Sequence, residues 1–308
     1  MGKIDDIQAY KEWGEYYRAL QRDQVVDNLS EAERRKKLKE LEKHPLKWII
    51  FFFAQFAKYP FEKFHIRAIN RITSHMEWYE VISWARELAK STIVFFCIMY
   101  LVLTGKKKNV LLISNSHENA VRLLDPYKKA FENNSLLKAY YGDLREYGSW
   151  TADEFSLTTG AAFRAIGALE SPRGTRKDNI RPDVVIPDDF DTDADCRNPD
   201  TLKKKWEWFE EALFPTRSIS EDLLVVFCGN IIAPDCCITR AGKKADHWDI
   251  VNIRDEKGCS AWPAKNTEAR IARIQSKIST KAFQQEFMNN PLSEGDVFKE
   301  MQWGKCPP

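Results

Sequence analysis

Lys90, Ser91 and Thr92 stand at the start of an apolar stretch, directly after a short β-prone run. A phosphate-binding loop needs backbone N–H groups at a helix N-terminus, a lysine for the β- and γ-phosphates, and a hydroxyl for Mg²⁺. Lys90 and Ser91 supply the lysine and the hydroxyl. Because Trp84 and Ala89 occupy the positions of the usual glycines, a solvated helix start is the alternative interpretation.

A pair of carboxylates, Asp188 and Asp189, ends a second apolar run at residues 183–187. Carboxylates at the end of a buried strand are costly unless a cation or hydrogen-bond donors meet them. In nucleotide hydrolases the first carboxylate holds the Mg²⁺ shell and the next acidic group polarises the attacking water. The pair therefore predicts metal binding and hydrolysis, with a helix N-cap as the alternative.

Two other groups carry weaker signals. Gly229 and Asn230 follow a third apolar run, where a polar amide can sense the γ-phosphate, although a strand-ending turn explains them equally well. A basic run in the loop before the acidic strand can supply an arginine finger, contact DNA phosphates, or be solvated loop charge. It consists of Arg173, Arg176, Lys177 and Arg181.

The elements that must position these residues are short apolar strands alternating with helices. This pattern predicts an α/β fold with a mostly parallel sheet flanked by helices. The predicted strands are 79–84, 109–114, 155–159, 162–166, 183–187, 223–228 and 248–253. One predicted helix begins at residue 90, and others span 117–133, 199–214, 267–277 and 280–289. A further helix at 32–44 is charged nearly all round and is expected to be a solvated arm.

Composition excludes several classes of protein. The net charge of +2 over 308 residues is too small for a protein that only coats nucleic acid. The seven cysteines include no CxxC pair, which argues against a zinc site or disulfide framework and favours a reducing compartment. The apolar runs at 48–56 and 91–103 fall short of the ~20 residues that a membrane-spanning helix needs.

Taken together, these residues resemble the large terminase subunit of tailed bacteriophages and related viruses. Its ATPase tolerates a deviant phosphate loop, R-x-x-x-K-[ST]-T, and Arg86 completes that pattern with residues 90–92. The resemblance covers roughly residues 60–300 and lies in the order and spacing of the motifs. The other matching segments are 109–120, Gly174 and Arg176, 181–183, 188–189, 228–230, 261–263, 283–291, Gly295 and Phe298.

The sequence departs from the family pattern in two places. Ala85 and Glu87 replace a Pro and a Gly that often flank the arginine, and Glu87 puts a negative charge near the phosphates. An aspartate, Asp189, stands where a glutamate is more frequent. The family's RNase H-like nuclease domain would begin after about residue 300 and is expected to be absent from this sequence, so this chain is expected to hydrolyse ATP or package DNA, but not to cut it.

The resemblance implies a P-loop NTPase of the ASCE type that hydrolyses ATP with Mg²⁺ and translocates double-stranded DNA into a procapsid. It implies an N-terminal helical extension at 1–60, an ATPase domain at 61–292 and a linker at 293–308. The expected nucleotide-binding residues are Arg86, Glu87, Leu88, Ala89, Lys90, Ser91 and Thr92. Ser91 and Asp188 are the expected metal ligands, and the expected catalytic residues are Asp189, Arg86, Asn230 and a trans-acting finger, Arg176 or Arg181.

The implied partners are double-stranded DNA, the portal protein, the small terminase subunit and further copies of the chain in a ring, a pentamer when assembled. The implied location is the host cytoplasm, with transient binding to the portal vertex. Phe61 and Phe64 are candidates for stacking on adenine. Two other functions stay open: another ASCE enzyme such as a DNA helicase, and a non-enzymatic capsid or DNA-binding adaptor that binds no nucleotide.

Overall fold

The computed structural model describes residues 26–54, 58–172 and 180–292. Arg173, Gly174, Arg176 and Lys177 of the basic loop, and the expected linker at 293–308, lie outside these ranges.

A single eight-stranded sheet organises the described chain. Its strands are β1 (Trp78–Trp84), β2 (Asn109–Ser114), β3 (Arg145–Trp150), β4 (Glu154–Leu157), β5 (Ala162–Gly167), β6 (Val184–Pro187), β7 (Leu224–Cys228) and β8 (His247–Val251), in the order β3-β4-β5-β2-β6-β7-β1-β8. Only the β3–β4 and β4–β5 pairs are antiparallel. The predicted α/β fold with a mostly parallel sheet is confirmed.

The order of the central strands identifies the type of P-loop fold. β7 lies between β1, which precedes the Lys90 loop, and β6, which precedes Asp188. An additional strand between these two is the arrangement of ASCE ATPases, so the predicted class is confirmed. Because carboxyl ends of parallel strands meet at one edge of a sheet, β1, β6 and β7 deliver their following loops to a common place.

The helices pack on both faces of the sheet. They are α1 (Glu31–Leu41), α2 (Pro45–Phe52), α3 (Lys63–Ser74), α4 (Lys90–Leu103), α5 (His117–Asn133), α6 (Ser135–Tyr141), α7 (Asp193–Arg197), α8 (Pro199–Glu207), α9 (Cys237–Gly242), α10 (Glu268–Gln275) and α11 (Thr280–Met288). Residues 110–113 of β2 are all apolar because both faces of this strand are buried. Val110 and Leu112 pack in the core on one face of the sheet, and Leu111 and Ile113 pack in the core on the other face.

Helix α4 is apolar because it is buried, with every residue from Ile93 to Val102 inside the core. Among the described residues no helix is both long and apolar enough to cross a bilayer. α1 buries no residue and begins with a capping box, in which Ser30 and Glu33 bond each other's backbone N–H. The predicted helix is thus present and mostly solvated, but it ends at Leu41, and Leu38 and Leu41 pack against the core, so it is not a free arm.

One predicted helix changes its type along its length, and strand β3 was not predicted. The single helix predicted at 199–214 ends as an α-helix at Glu207, continues as a π-helical turn (Trp208–Leu213) and closes in a 3-10 turn (Phe214–Thr216), where Pro215 cannot donate a helical hydrogen bond. Strand β3 was missed because it lacks alternating hydrophobicity and contains Gly148 at φ +100°. It exists as an edge strand because it pairs with β4.

Candidate functional site

A cavity of about 630 Å³ lies at the carboxyl edge of the sheet, where the loops after β1, β6 and β7 converge. Of the expected site residues, Arg86, Glu87, Ala89, Lys90, Ser91, Thr92, Asp189 and Asn230 line it. A smaller cavity of about 270 Å³ adjoins it, and Ser91, Thr92, Asp188 and Asp189 face that space. Leu88 lines neither, because its side chain is buried in the core. Three separate sequence signals thus meet in one place.

The loop between β1 and α4 adopts a tight turn without glycine. Glu87 and Ala89 have φ values of +69° and +60°, in the left-handed region that glycine normally occupies. A non-glycine residue pays roughly 1–2 kcal/mol for this conformation. The fully buried side chain of Leu88 anchors the loop between them. The surrounding packing therefore holds the backbone shape that glycines provide in the standard loop.

Contacts from distant segments compensate the unusual residues of this loop. Lys265 forms an ion pair with the Glu87 carboxylate at 3.0 Å, and its Nζ donates to the Glu87 carbonyl at 2.9 Å. Asn266 donates to the same carbonyl at 3.2 Å. The negative charge that departs from the family pattern is thus paired. Sequence analysis missed Lys265 and Asn266, since nothing in the sequence connects them to a loop almost 180 residues away.

His65 supports the same loop from beneath. Its Nδ1 accepts from the backbone N–H of Glu62 at 3.0 Å, so Nε2 carries the proton and donates to the Leu88 carbonyl at 3.0 Å. Burial lowers the pKa of His65 to about 4, so the ring is neutral at pH 7. Phe64 is buried against His65 and Trp84, and Phe61 packs against His65. Neither phenylalanine lines the cavity, so their suggested stacking on adenine finds no support.

Lys90 and Asn230, taken from different sequence signals, are direct partners. Lys90 begins α4, and its Nζ donates to the Asn230 Oδ1 at 2.6 Å. Asn230 comes two residues after β7, the strand between the loop strand and the acidic strand. A lysine at a helix N-terminus, beside a side-chain amide at the end of the intervening strand, suits the binding of phosphates.

Asp188 is buried at the end of β6, and its Oδ1 has no hydrogen-bond partner among the described residues. Burial and then the nearby charge of Asp189 raise the pKa of Asp188 to about 6, against the opposing effects of Lys90 and a hydrogen bond to Ser91. An orphaned carboxylate oxygen beside a serine hydroxyl is the oxygen donor set that Mg²⁺ prefers. Ser91 and Asp188 therefore fit a divalent cation.

Asp189 turns away from the strand direction. Its φ of +45° lies in the left-handed region, its N–H donates to the Cys228 carbonyl at 3.3 Å, and its side chain lines the larger cavity. Asp191, the next carboxylate along the chain, accepts the N–H groups of Cys237 and Ile238, both at 3.0 Å. Asp191 also lines the larger cavity, but its carboxylate is bonded to the start of α9, whereas Asp189 lines both cavities.

The predicted arginines occupy three different situations. Arg86 lines the cavity and pairs with Glu286 of α11, Nε to Oε2, at 2.5 Å. Arg181 is exposed at the amino end of β6, away from the cavity, and bonds the carbonyl of Arg217 at 3.4 Å. Arg176 lies outside the described residues. The chain's own cavity therefore receives Arg86 and not Arg181.

Neither a protein-family model nor a curated protein sequence matches this chain. Solved structures do. The crystal structure of the bacteriophage HK97 large terminase matches with a TM-score of 0.50, over 76% of this chain and 51% of that one, at 16% identity. The chain shares its fold with about half of that large terminase. The predicted likeness to the large terminase is confirmed at the level of the fold.

The chain spans about half the length of the HK97 terminase. Two structures of the large terminase ATPase domain from Thermus phage P74-26, one of them a mutant, match with TM-scores of 0.46 and 0.47. Their sequences are 15% and 14% identical to this one. Each match includes 79% of this chain, and 98% and 97% of the two P74-26 chains.

Proposed function

We propose that this chain is a terminase-type motor ATPase, which hydrolyses ATP with Mg²⁺ and uses the energy to move double-stranded DNA into a viral procapsid. The observation that supports this most is that Lys90, Ser91, Asp188, Asp189 and Asn230 line two adjoining cavities at the carboxyl edge of the sheet. They come from three separate sequence segments and supply the parts that phosphoryl transfer to water requires.

Each of these side chains has a distinct role in the proposal. Lys90 exchanges its bond to Asn230 for the β- and γ-phosphates, and the N-terminus of α4 adds backbone donors. Ser91 and Asp188 hold Mg²⁺, which when bound neutralises charge on the phosphates. Asp189 orients and polarises the attacking water.

Asn230 is suited to report the state of the nucleotide. Its Oδ1 accepts from Lys90, and its Nδ2 donates to the carbonyl of Glu286 at 2.8 Å. When phosphates capture Lys90, Asn230 loses one partner and keeps the other. The amide thus connects the phosphate site to α11, which is the coupling role proposed for it.

The remaining parts of the proposal concern assembly. Copies of the chain form a ring on the portal vertex, in the host cytoplasm, with the portal protein and small terminase subunit as partners. Arg176 or Arg181 then reaches the cavity of a neighbouring copy. The support for Arg181 is its exposure at the opposite edge of the sheet, which leaves it free to approach another copy but not the cavity of its own chain.

Calorimetric titration with ADP, with and without Mg²⁺, tests the nucleotide site directly. We expect saturable binding that weakens strongly when Mg²⁺ is chelated, because Asp188 then repels the phosphates. The non-enzymatic adaptor function, by contrast, predicts no heat of binding under either condition, and that result would overturn the proposal.

A further inference from the structure

Glu286 lies on α11, the last described helix. It contacts Arg86 and Asn230, two polar side chains that line the proposed phosphate site. Its carboxylate pairs with Arg86 at 2.5 Å, and its carbonyl accepts the Arg86 backbone N–H at 3.1 Å. The same carbonyl accepts Asn230 Nδ2 at 2.8 Å, and Oε2 lies 3.4 Å from that nitrogen. Glu286 also lines the cavity.

These contacts mean that the two cations of the loop, Lys90 and Arg86, both have partners from the protein before a nucleotide arrives. Lys90 is bonded to the neutral amide of Asn230, which a phosphate replaces at little electrostatic cost. Arg86 is paired with a full negative charge. A phosphate therefore competes with Glu286 for Arg86, and the uncompensated carboxylate then repels the phosphate.

We infer that Glu286 is a positioning residue that competes with the nucleotide's phosphates for Arg86, weakens nucleotide binding, and passes occupancy of the site to α11. This inference rests on the proposed nucleotide site. When phosphates capture Arg86 and Lys90, the Glu286 carboxylate keeps only amide neighbours, namely Asn230 and Gln285 Nε2 at 3.3 Å. The negative charge of Glu286 at the end of α11 thus loses its ion pair when a nucleotide binds and regains it when the nucleotide is released.

The end of α11 can transmit such a change because it is attached to several parts of the sheet edge. Gln285 donates to Asp193, at the start of α7 beyond the acidic strand, at 2.9 Å. Asn289 donates to the Ser83 carbonyl of β1 at 2.9 Å and accepts the Ile231 N–H after β7 at 3.2 Å. Residues 285–289 therefore connect the end of β1 to the segments that follow β6 and β7.

Glu286→Gln tests the competition. The substitution keeps the size of the side chain and removes its charge, while the backbone contacts of residue 286 remain. We expect Mg·ADP to bind roughly fivefold more tightly to Glu286→Gln than to the wild-type chain, the ratio that corresponds to a partly exposed ion pair of about 1 kcal/mol. Arg86→Ala should bind Mg·ADP more weakly than wild type, because it removes the cation for which Glu286 and the phosphates compete.

Glu268→Gln is the matched control. Glu268 is paired with Arg254 at 2.8 Å and lies on the neighbouring helix α10, outside the cavity lining, so the same change in net charge should leave the affinity unchanged. Since the competition is electrostatic, the advantage of Glu286→Gln should shrink between ~0.1 M and ~1 M salt, where the Debye length falls from ~10 to ~3 Å.

The outcomes separate this inference from the proposed function. If the wild-type chain binds no Mg·ADP, both are wrong. If it binds, and Glu286→Gln binds equally or more weakly while melting at the wild-type temperature, Glu286 merely orients Arg86 toward the phosphates; the inference then fails and the ATPase proposal stands. An equal gain in affinity for Glu268→Gln would also overturn it, because the effect would then come from net charge alone.

Discussion

Asp188 carries a buried negative charge that nothing in the cation-free protein fully compensates. Burial and the charge of Asp189 raise its pKa from the ordinary 3.8 to about 6. At about 1.4 kcal/mol for each tenfold change in proton affinity, the ionised carboxylate destabilises the fold by about 3 kcal/mol at pH 8. Asp188→Asn removes this charge at constant shape, so the nucleotide-free variant should be more stable than wild type.

The pH dependence gives this prediction its sign. An acid whose pKa is raised by folding contributes stability that is complete below the unfolded pKa and is lost as the pH rises through the folded pKa. The advantage of Asp188→Asn should therefore grow from about 2 kcal/mol at pH 5 to about 3 kcal/mol at pH 8. Urea unfolding, followed by the fluorescence of the ten tryptophans, measures it at each pH.

Asp191→Asn supplies a control of opposite sign. The Asp191 carboxylate accepts two backbone N–H groups of α9, and an amide can accept only one of them well. This variant should be less stable than wild type by about 1–3 kcal/mol. Stabilisation of Asp188→Asn that is absent at pH 8, or that stays constant from pH 5 to pH 8, would refute the assignment of a buried uncompensated charge.

Three further predictions concern hydrolysis, assembly and the sheet edge. Asp189→Asn should retain Mg·ADP binding and lose ATP turnover, because only polarisation of water needs the carboxylate; equal loss of both in calorimetry and phosphate-release assays would contradict this. Mixing Lys90→Ala with an inactive variant of Arg176 or Arg181 should restore some turnover if the arginine acts on a neighbouring copy, since an arginine supplied in trans is worth ~10³–10⁵ in rate. If light scattering confirms oligomers and turnover stays at background at every mixing ratio, the arginine does not act in trans. Asn289→Ala removes side-chain bonds to the ends of two strands at a left-handed position and should lower the free energy of unfolding by about 2–3 kcal/mol, measured in urea; a wild-type midpoint would show that these bonds contribute little.

The strands and helices that could be predicted from the sequence are those whose burial fixes their composition. β2 and α5 begin and end at the predicted residues, because β2 is buried on both faces and the Ser116 N-cap marks the start of α5. β3 has no such pattern, and it exists only because β4 offers it a partner. Local composition carries no information about pairing of that kind.

Residues of the site likewise differ in whether their position follows from the local sequence or from contacts with distant segments. Lys90, Ser91, Asp188 and Asn230 could be predicted because each stands at the end or start of a recognisable buried element. The residues that support the loop could not: His65 reads as an ordinary core histidine, and Lys265 as a solvated charge. The role inferred for Glu286 likewise depends on its ion pair with a residue 200 positions away in the sequence.

Turnover of ATP by Lys90→Ala shows whether the loop before α4 is the place where ATP is hydrolysed. Lys90 bonds the neutral amide of Asn230, and its charge partly offsets that of buried Asp188, so its loss should lower the unfolding midpoint modestly without preventing folding. Lys203→Ala, which removes an exposed lysine on α8, is the control and should keep wild-type turnover. We predict that Lys90→Ala folds normally and releases no phosphate from ATP above background. A folded Lys90→Ala protein with wild-type turnover would contradict the account, because the phosphate loop would then not be where hydrolysis occurs.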